Sequence, residues 1–192
     1  MDIFSHGLWA GAVAKGLNKK SDLPAQAGPK LNVWQTALWG VFPDFFAFAP
    51  AFVGLFWLIL TGQMSFSEWP GAHGMGEPTA GNSTPAFQLA GHLYNSSHSA
   101  IVFILIFLLA WSLMRRPVWE MGGWLLHIIM DIPTHSYAFF PTPVLWPLFG
   151  WKFNGFSWAT PWFLILDYGL LILVYWLLRE KKSGRIENIQ ES

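Results

Sequence analysis

The chain has 192 residues, 53% hydrophobic and only 11% charged, with equal numbers of acidic and basic groups. A soluble domain carries roughly 25% charged residues, so this composition points to an integral membrane protein of one domain's length and argues against a basic nucleic-acid-binding module. There is no cysteine, which excludes disulfides, thiolate metal sites and a cysteine nucleophile.

Residues 3–14 form a short apolar segment followed by Lys15, Lys19 and Lys20. About 20 apolar residues are needed to cross a bilayer, so a partial span or a packed re-entrant helix is expected. The acidic start and late lysines reverse the order of a secretory signal peptide, and no cleavage is expected. Residues 21–30 read as a polar loop with two prolines. The apolar run from Leu31 to Gly62 contains Gly40, Pro43 and Pro50. It is expected as a short helix to Val41, a break at residues 42–44, and a longer helix to Leu60. Residues 63–84 are a polar loop rich in glycine and proline, and Ser83 or Thr84 before Pro85 signals a helix start.

One helix is expected over 85–114, entering the bilayer near His98 and ending at Arg115, Arg116 and Pro117. The next runs from Val118 to Ile132, where Pro133 disfavours continuation. Residues 139–158 are aromatic and punctuated by proline, as suits the headgroup level. A last span covers 162–178. The plan is all-α: a polytopic membrane domain over 1–178 with about four transmembrane helices plus the short N-terminal helix, and a polar tail over 179–192.

Ten of the eleven Lys and Arg residues fall on one side of this plan, and only Lys152 falls on the other. The positive-inside rule makes the basic side, and the C-terminus, cytoplasmic.

Ionisable groups inside such segments are costly and mark function. His127 and Asp131 are spaced i, i+4 and share one helical face. They suit a metal-ligand pair or a hydrogen-bonded pair joining two helices. His135 would sit in the turn beyond Pro133. Asp44 needs a metal, a partner or water, unless it caps the helix after a break at Pro43. His98, at a helix entrance, reads as a metal ligand or as an interfacial histidine. His6 is balanced between ligand and satisfied core residue. Glu120 is expected to pair with Arg115 or Arg116. Asp167 fits either as the partner of a histidine or in helix–helix hydrogen bonding. His73, Glu68 and Glu77 read as solvated loop residues, and His92 is undecided. The pattern HExxH, the elbow GxSxG and the paired histidines of membrane di-iron enzymes are all absent.

His6-Gly7 in a short helix, the GxxPD segment ending at Asp44, His98-Ser99 at a helix start, and HxxxD at His127 and Asp131 occur in that order. A Pro/Trp-rich run ending LWPLFGWKF follows. Over residues 4–158 this combination resembles the LexA-regulated, membrane-bound metal-dependent hydrolase family, itself similar to zinc-dependent phospholipase C. The resemblance implies a polar core of His6, Asp44, His98, His127 and Asp131, with His135 joining as a ligand. It also implies a place in a bacterial inner membrane. Phe46 stands where the family often has a second acid, and LYNSSHS lacks the family's upstream histidine.

Two readings follow. One is a hydrolase whose divalent metal activates water against a lipid-like phosphoester, with Asp131 or Asp44 as ligand or base. Zinc fits best, and manganese or iron also fit. The other is a transporter or scaffold using the same residues for a structural metal or a proton relay. The partners implied are the bilayer and a lipid-like or small-molecule substrate, without nucleic acid.

Overall fold

The computed structural model describes residues 1–21, 29–65, 67 and 85–179, without the side chains of residues 85–87. The expected loops around 22–28 and 68–84, with Glu68, His73 and Glu77, and most of the tail lie outside them. Among the described residues there are six α-helices and no strand: α1 (Ile3–Ser21), α2 (Val33–Leu60), α3 (Pro85–Ser97), α4 (Ala100–Met114), α5 (Gly122–Thr134) and α6 (Pro161–Leu177).

α1 is longer than its apolar segment, because the helix continues through Lys15, Lys19 and Lys20. Its buried face is small: Ser5, Gly7, Ala10, Gly11, Ala12 and Ala14, with His6 among them. Such residues let backbones approach closely. A Cβ on Gly40 would lie 2.7 Å from the Ala10 Cβ and 2.8 Å from the His6 carbonyl.

The expected break at residues 42–44 is not there. α2 is one helix with Pro43 and Pro50 inside it. Proline removes a donor and crowds the preceding turn, but neighbouring helices can supply donors to the carbonyls around it. His127 Nδ1 donates to the Gly40 carbonyl at 2.7 Å, and Ser97 Oγ to the Pro43 carbonyl at 3.1 Å. Asp44 is therefore a mid-helix residue and not a cap.

The break falls instead where one helix over 85–114 was expected. α3 and α4 meet at 62° across His98 and Ser99. Ser99 is extended and accepts from Val102 N, capping α4, the usual way a serine competes with helix continuation. Trp124 Nε1 donates to the Ser97 carbonyl at 2.6 Å and fixes the corner from α5. A single 3-10 turn (Trp119–Met121) leads into α5, which ends only at Thr134, with Pro133 in its last turn. The aromatic segment then folds back over both corners. The Gly155 and Phe156 amides bond the His135 and Pro133 carbonyls, and the Ala100 amide bonds the Val144 carbonyl.

Among the described residues, the segments that carry Lys15, Lys19, Lys30, Glu120 and Arg179 meet at one end. Asn18 makes two 2.8 Å bonds to the Leu31 backbone, joining α1 to the start of α2. Glu120 does not take up the expected arginine role and accepts from Asn32 N. Leu178 lies beside Gly16. The other surfaces are apolar: α4 has only Phe103 buried, and Leu105, Leu109, Phe56, Trp57, Ile165 and Ile172 are all exposed. α2 is long and apolar enough to cross a membrane, and the bent α3–α4 pair is so if counted as one span.

Candidate metal centre

Four helices deliver four side chains to one point. Asp44 comes from the middle of α2, His98 from the α3–α4 corner, and His127 and Asp131 from one face of α5. All four are buried. His127 Nε2 lies 2.9 Å from His98 Nε2. Asp131 Oδ2 is 3.2 Å from the first and 3.3 Å from the second. Asp44 Oδ1 is 3.7 Å and 3.4 Å from the same two nitrogens. Ligands held at about 2.0–2.1 Å around a tetrahedral zinc are about 3.3 Å apart. The five separations straddle that value.

The hydrogen bonds on the far side of each ring decide its chemistry. Gly40 O can only accept, so His127 Nδ1 carries the proton in that bond. His98 Nδ1 faces the Tyr94 carbonyl at 3.2 Å and Ser97 Oγ at 2.9 Å, and the Ser97 hydroxyl is within donating reach of the Pro43 carbonyl. The two Nε2 atoms, with Nδ1 of each ring engaged on its far side, converge on one point between two carboxylate oxygens. Asp131 Oδ2 has no hydrogen-bond partner. Lone pairs this close require a cation or a proton between them, and two carboxylates with one divalent cation leave no net charge to bury. The group could hold a metal ion.

His6 and His135 lie at the edge of this group and outside the four-ligand set. The His6 ring stacks on His127 at 3.6 Å. Its Nε2 is 2.9 Å from Asp131 Oδ1 but out of line for a hydrogen bond. His135 Nδ1 approaches Asp131 Oδ1 and the Asp131 carbonyl, each at 3.3 Å. It sits just past the helix end, where the Pro133 argument put it. The Met1 amine meets Asp131 Oδ1 at 2.6 Å. Asp167 serves no histidine: it accepts from Ser5 Oγ at 2.6 Å and Trp9 Nε1 at 2.8 Å, holding α6 to α1. His92 is exposed on α3.

Ser97, Tyr94 and the Gly40 carbonyl were not anticipated as parts of the site. The only sequence signal was proximity to His98 for the first two. Ser97→Ala removes the acceptor that orients His98, and outer hydrogen bonds of this kind are worth about 10–100-fold in metal affinity. The expected result is at least about tenfold weaker zinc binding with the fold retained, read by competition with a chelating dye.

Set against known protein families, curated proteins and solved structures, the chain matches none of them.

Proposed function

We propose that this chain is a multi-pass membrane protein whose Asp44–His98–His127–Asp131 group binds zinc and hydrolyses a lipid-like phosphoester. The observation that carries it is the pair of imidazole nitrogens meeting two buried carboxylate oxygens at tetrahedral spacing. Exposed apolar surface on α2, α4 and α6 supports the bilayer as solvent. Counting α2, the α3–α4 pair, α5 and the shorter apolar α6, with α1 packed against them, the bundle fits about four spans in a bacterial inner membrane. Asp44 lies about 16 Å along α2 from its first residue, near mid-depth of a hydrocarbon core about 30 Å thick.

A bound divalent cation lowers the pKa of its water to about 7 and polarises a phosphoryl oxygen. The protein's own contribution is positional. Gly40 and the Ser97–Tyr94 pair hold the two imidazoles in one tautomer. The Asp44 side chain is 10% exposed while the other three are fully enclosed. Asp44 thus faces the approach to the site, in a position to take a proton from an entering water. Asp131 stays buried as a ligand.

A structural metal is the second reading, favoured because four protein ligands already complete a tetrahedron. Zinc-loaded and chelator-stripped protein, assayed on a panel of lipid phosphoesters, separate the two. Zinc-dependent release of phosphate from a monoester, or of a phosphomonoester and an alcohol from a diester, supports the hydrolase. A folded, zinc-loaded protein with no turnover on any member leaves the structural role. For topology, cysteine at Gln63 should react with an impermeant reagent on intact cells, and cysteine at Arg116 only after permeabilisation. The reverse labelling would overturn the cytoplasmic assignment of the basic end.

A further inference from the structure

A groove of about 1120 Å³ lies between α1, α2 and the end of α6, away from the metal centre. Its walls are apolar and open to the surroundings, with Phe4 and Leu8 on α1 and Trp34 and Leu38 on α2, all exposed. Gly7 and Gly11 keep the floor low: a Cβ on Gly7 would meet Val41 at 2.8 Å, and one on Gly11 would meet the Tyr175 hydroxyl at 3.1 Å. At one end only, three cations line it: Lys15, Lys19 and Lys30. The two hydrogen bonds between the Asn18 side chain and the Leu31 backbone place Lys30 beside the two α1 lysines.

We infer that this groove binds an anionic diacyl phospholipid, with its phosphate at the three lysines and its tails against the Phe4–Leu8–Trp34–Leu38 wall. Charge complementarity selects the ligand, since basic pockets between membrane helices recognise anionic headgroups. Dimensions agree. Phe4 to Lys19 spans about 22 Å of helix, close to one leaflet of a bilayer about 40–45 Å thick with its headgroups. The volume exceeds the roughly 300–1,000 Å³ of a small-molecule pocket.

This lipid is not the substrate of the metal centre. Lys15 lies nine residues, about 14 Å, along α1 from His6, so the phosphodiester is out of reach of the four ligands. The ligand is a resident that joins α1 to α2 and α6. The inference rests on the membrane placement proposed above and is independent of hydrolysis.

The test uses the full chain reconstituted in mixed phosphatidylglycerol and phosphatidylcholine vesicles, extracted gently and weighed by native mass spectrometry. Wild type should carry one phosphatidylglycerol, preferred at least about tenfold over phosphatidylcholine. The triple variant Lys15→Gln, Lys19→Gln, Lys30→Gln should lose the preference and keep its metal. Leu38→Trp, which fills the wall and leaves the lysines, should lower occupancy of both lipids. Equal occupancy by the two lipids in wild type, or an undiminished preference in the triple variant, overturns the inference. So does displacement of the bound lipid by glycerol phosphate at matched concentration, which would mark a headgroup-only site. Release of the chain from membranes by alkaline carbonate would overturn the membrane placement itself. Retention without lipid preference overturns the groove alone.

Discussion

Folded His127→Ala protein is expected to contain no stoichiometric metal, against about one zinc per chain in wild type after gentle purification. The reason is geometric. His127 Nε2 is within 3.7 Å of the ligand atoms of His98, Asp44 and Asp131, so its loss opens one corner of the tetrahedron. Asp131 is the other decisive position, because its two oxygens face different partners: Oδ2 the two imidazoles, Oδ1 the Met1 amine and His6. Truncating one partner of a buried charged group costs about 3–5 kcal/mol, so Asp131→Ala risks unfolding. Asp131→Asn keeps the volume and removes the charge, and should remain folded while losing metal. His92→Ala, on the exposed face of α3, should bind as wild type does. Elemental analysis of detergent-purified protein, with circular dichroism as the folding control, reads all three. Wild-type metal in folded His127→Ala protein would sink the metal-centre assignment and leave a proton shared between the two rings.

Gly123→Ala should be more damaging than any substitution on the exposed apolar surface of α4. A Cβ at that position would lie 2.1 Å from the Thr36 carbonyl oxygen and 3.0 Å from the Gly40 amide nitrogen. Both obstacles are backbone of α2, which cannot rotate aside. α5 would have to withdraw, and His127, four residues on, would lose its bond to the Gly40 carbonyl. Overpacking of ordinary cores costs about 1–3 kcal/mol, and this contact should exceed that range. The neighbouring residue provides the control. Nothing lies within 4 Å of a Cβ on Gly122, and alanine is preferred to glycine in helices by about 0.5–1 kcal/mol. Denaturant titration should therefore show Gly122→Ala as neutral or slightly stabilised. Equal stability of the two variants would contradict the close α2–α5 crossing.

The site was more legible than the fold around it. His127 and Asp131 announce themselves through local spacing, and Asp44 and His98 through the cost of polar groups in apolar runs. Those arguments need no knowledge of the partner helix. The helix boundaries do need it. Pro43 reads as a break because the chain in isolation has nothing to offset it, while the structure brings donors from α3 and α5. The corner at His98 and Ser99 was missed for the complementary reason. An unbroken apolar stretch resumes directly after it, and the bond that holds the end of α3, from Trp124 to the Ser97 carbonyl, comes from a distant helix. His6 and His135, expected beside the other ligands, both reach Asp131 Oδ1, at 2.9 and 3.3 Å, while the four-residue group is completed without them.

The uninterrupted course of α2 through Pro43 has a bearing on biogenesis. The two side chains that donate to its proline turn, Ser97 and His127, are synthesised 54 and 87 residues after their acceptors. While the ribosome is still making the rest, α2 exists without them, and the turn they bond is the one carrying Asp44. The same two side chains belong to the site, His127 as an imidazole and Ser97 as the hydroxyl beside His98 Nδ1. Completion of the helix and assembly of the cation-binding group are therefore one late event in synthesis, so a nascent chain can capture an ion with all four ligands only after α5 has emerged and docked.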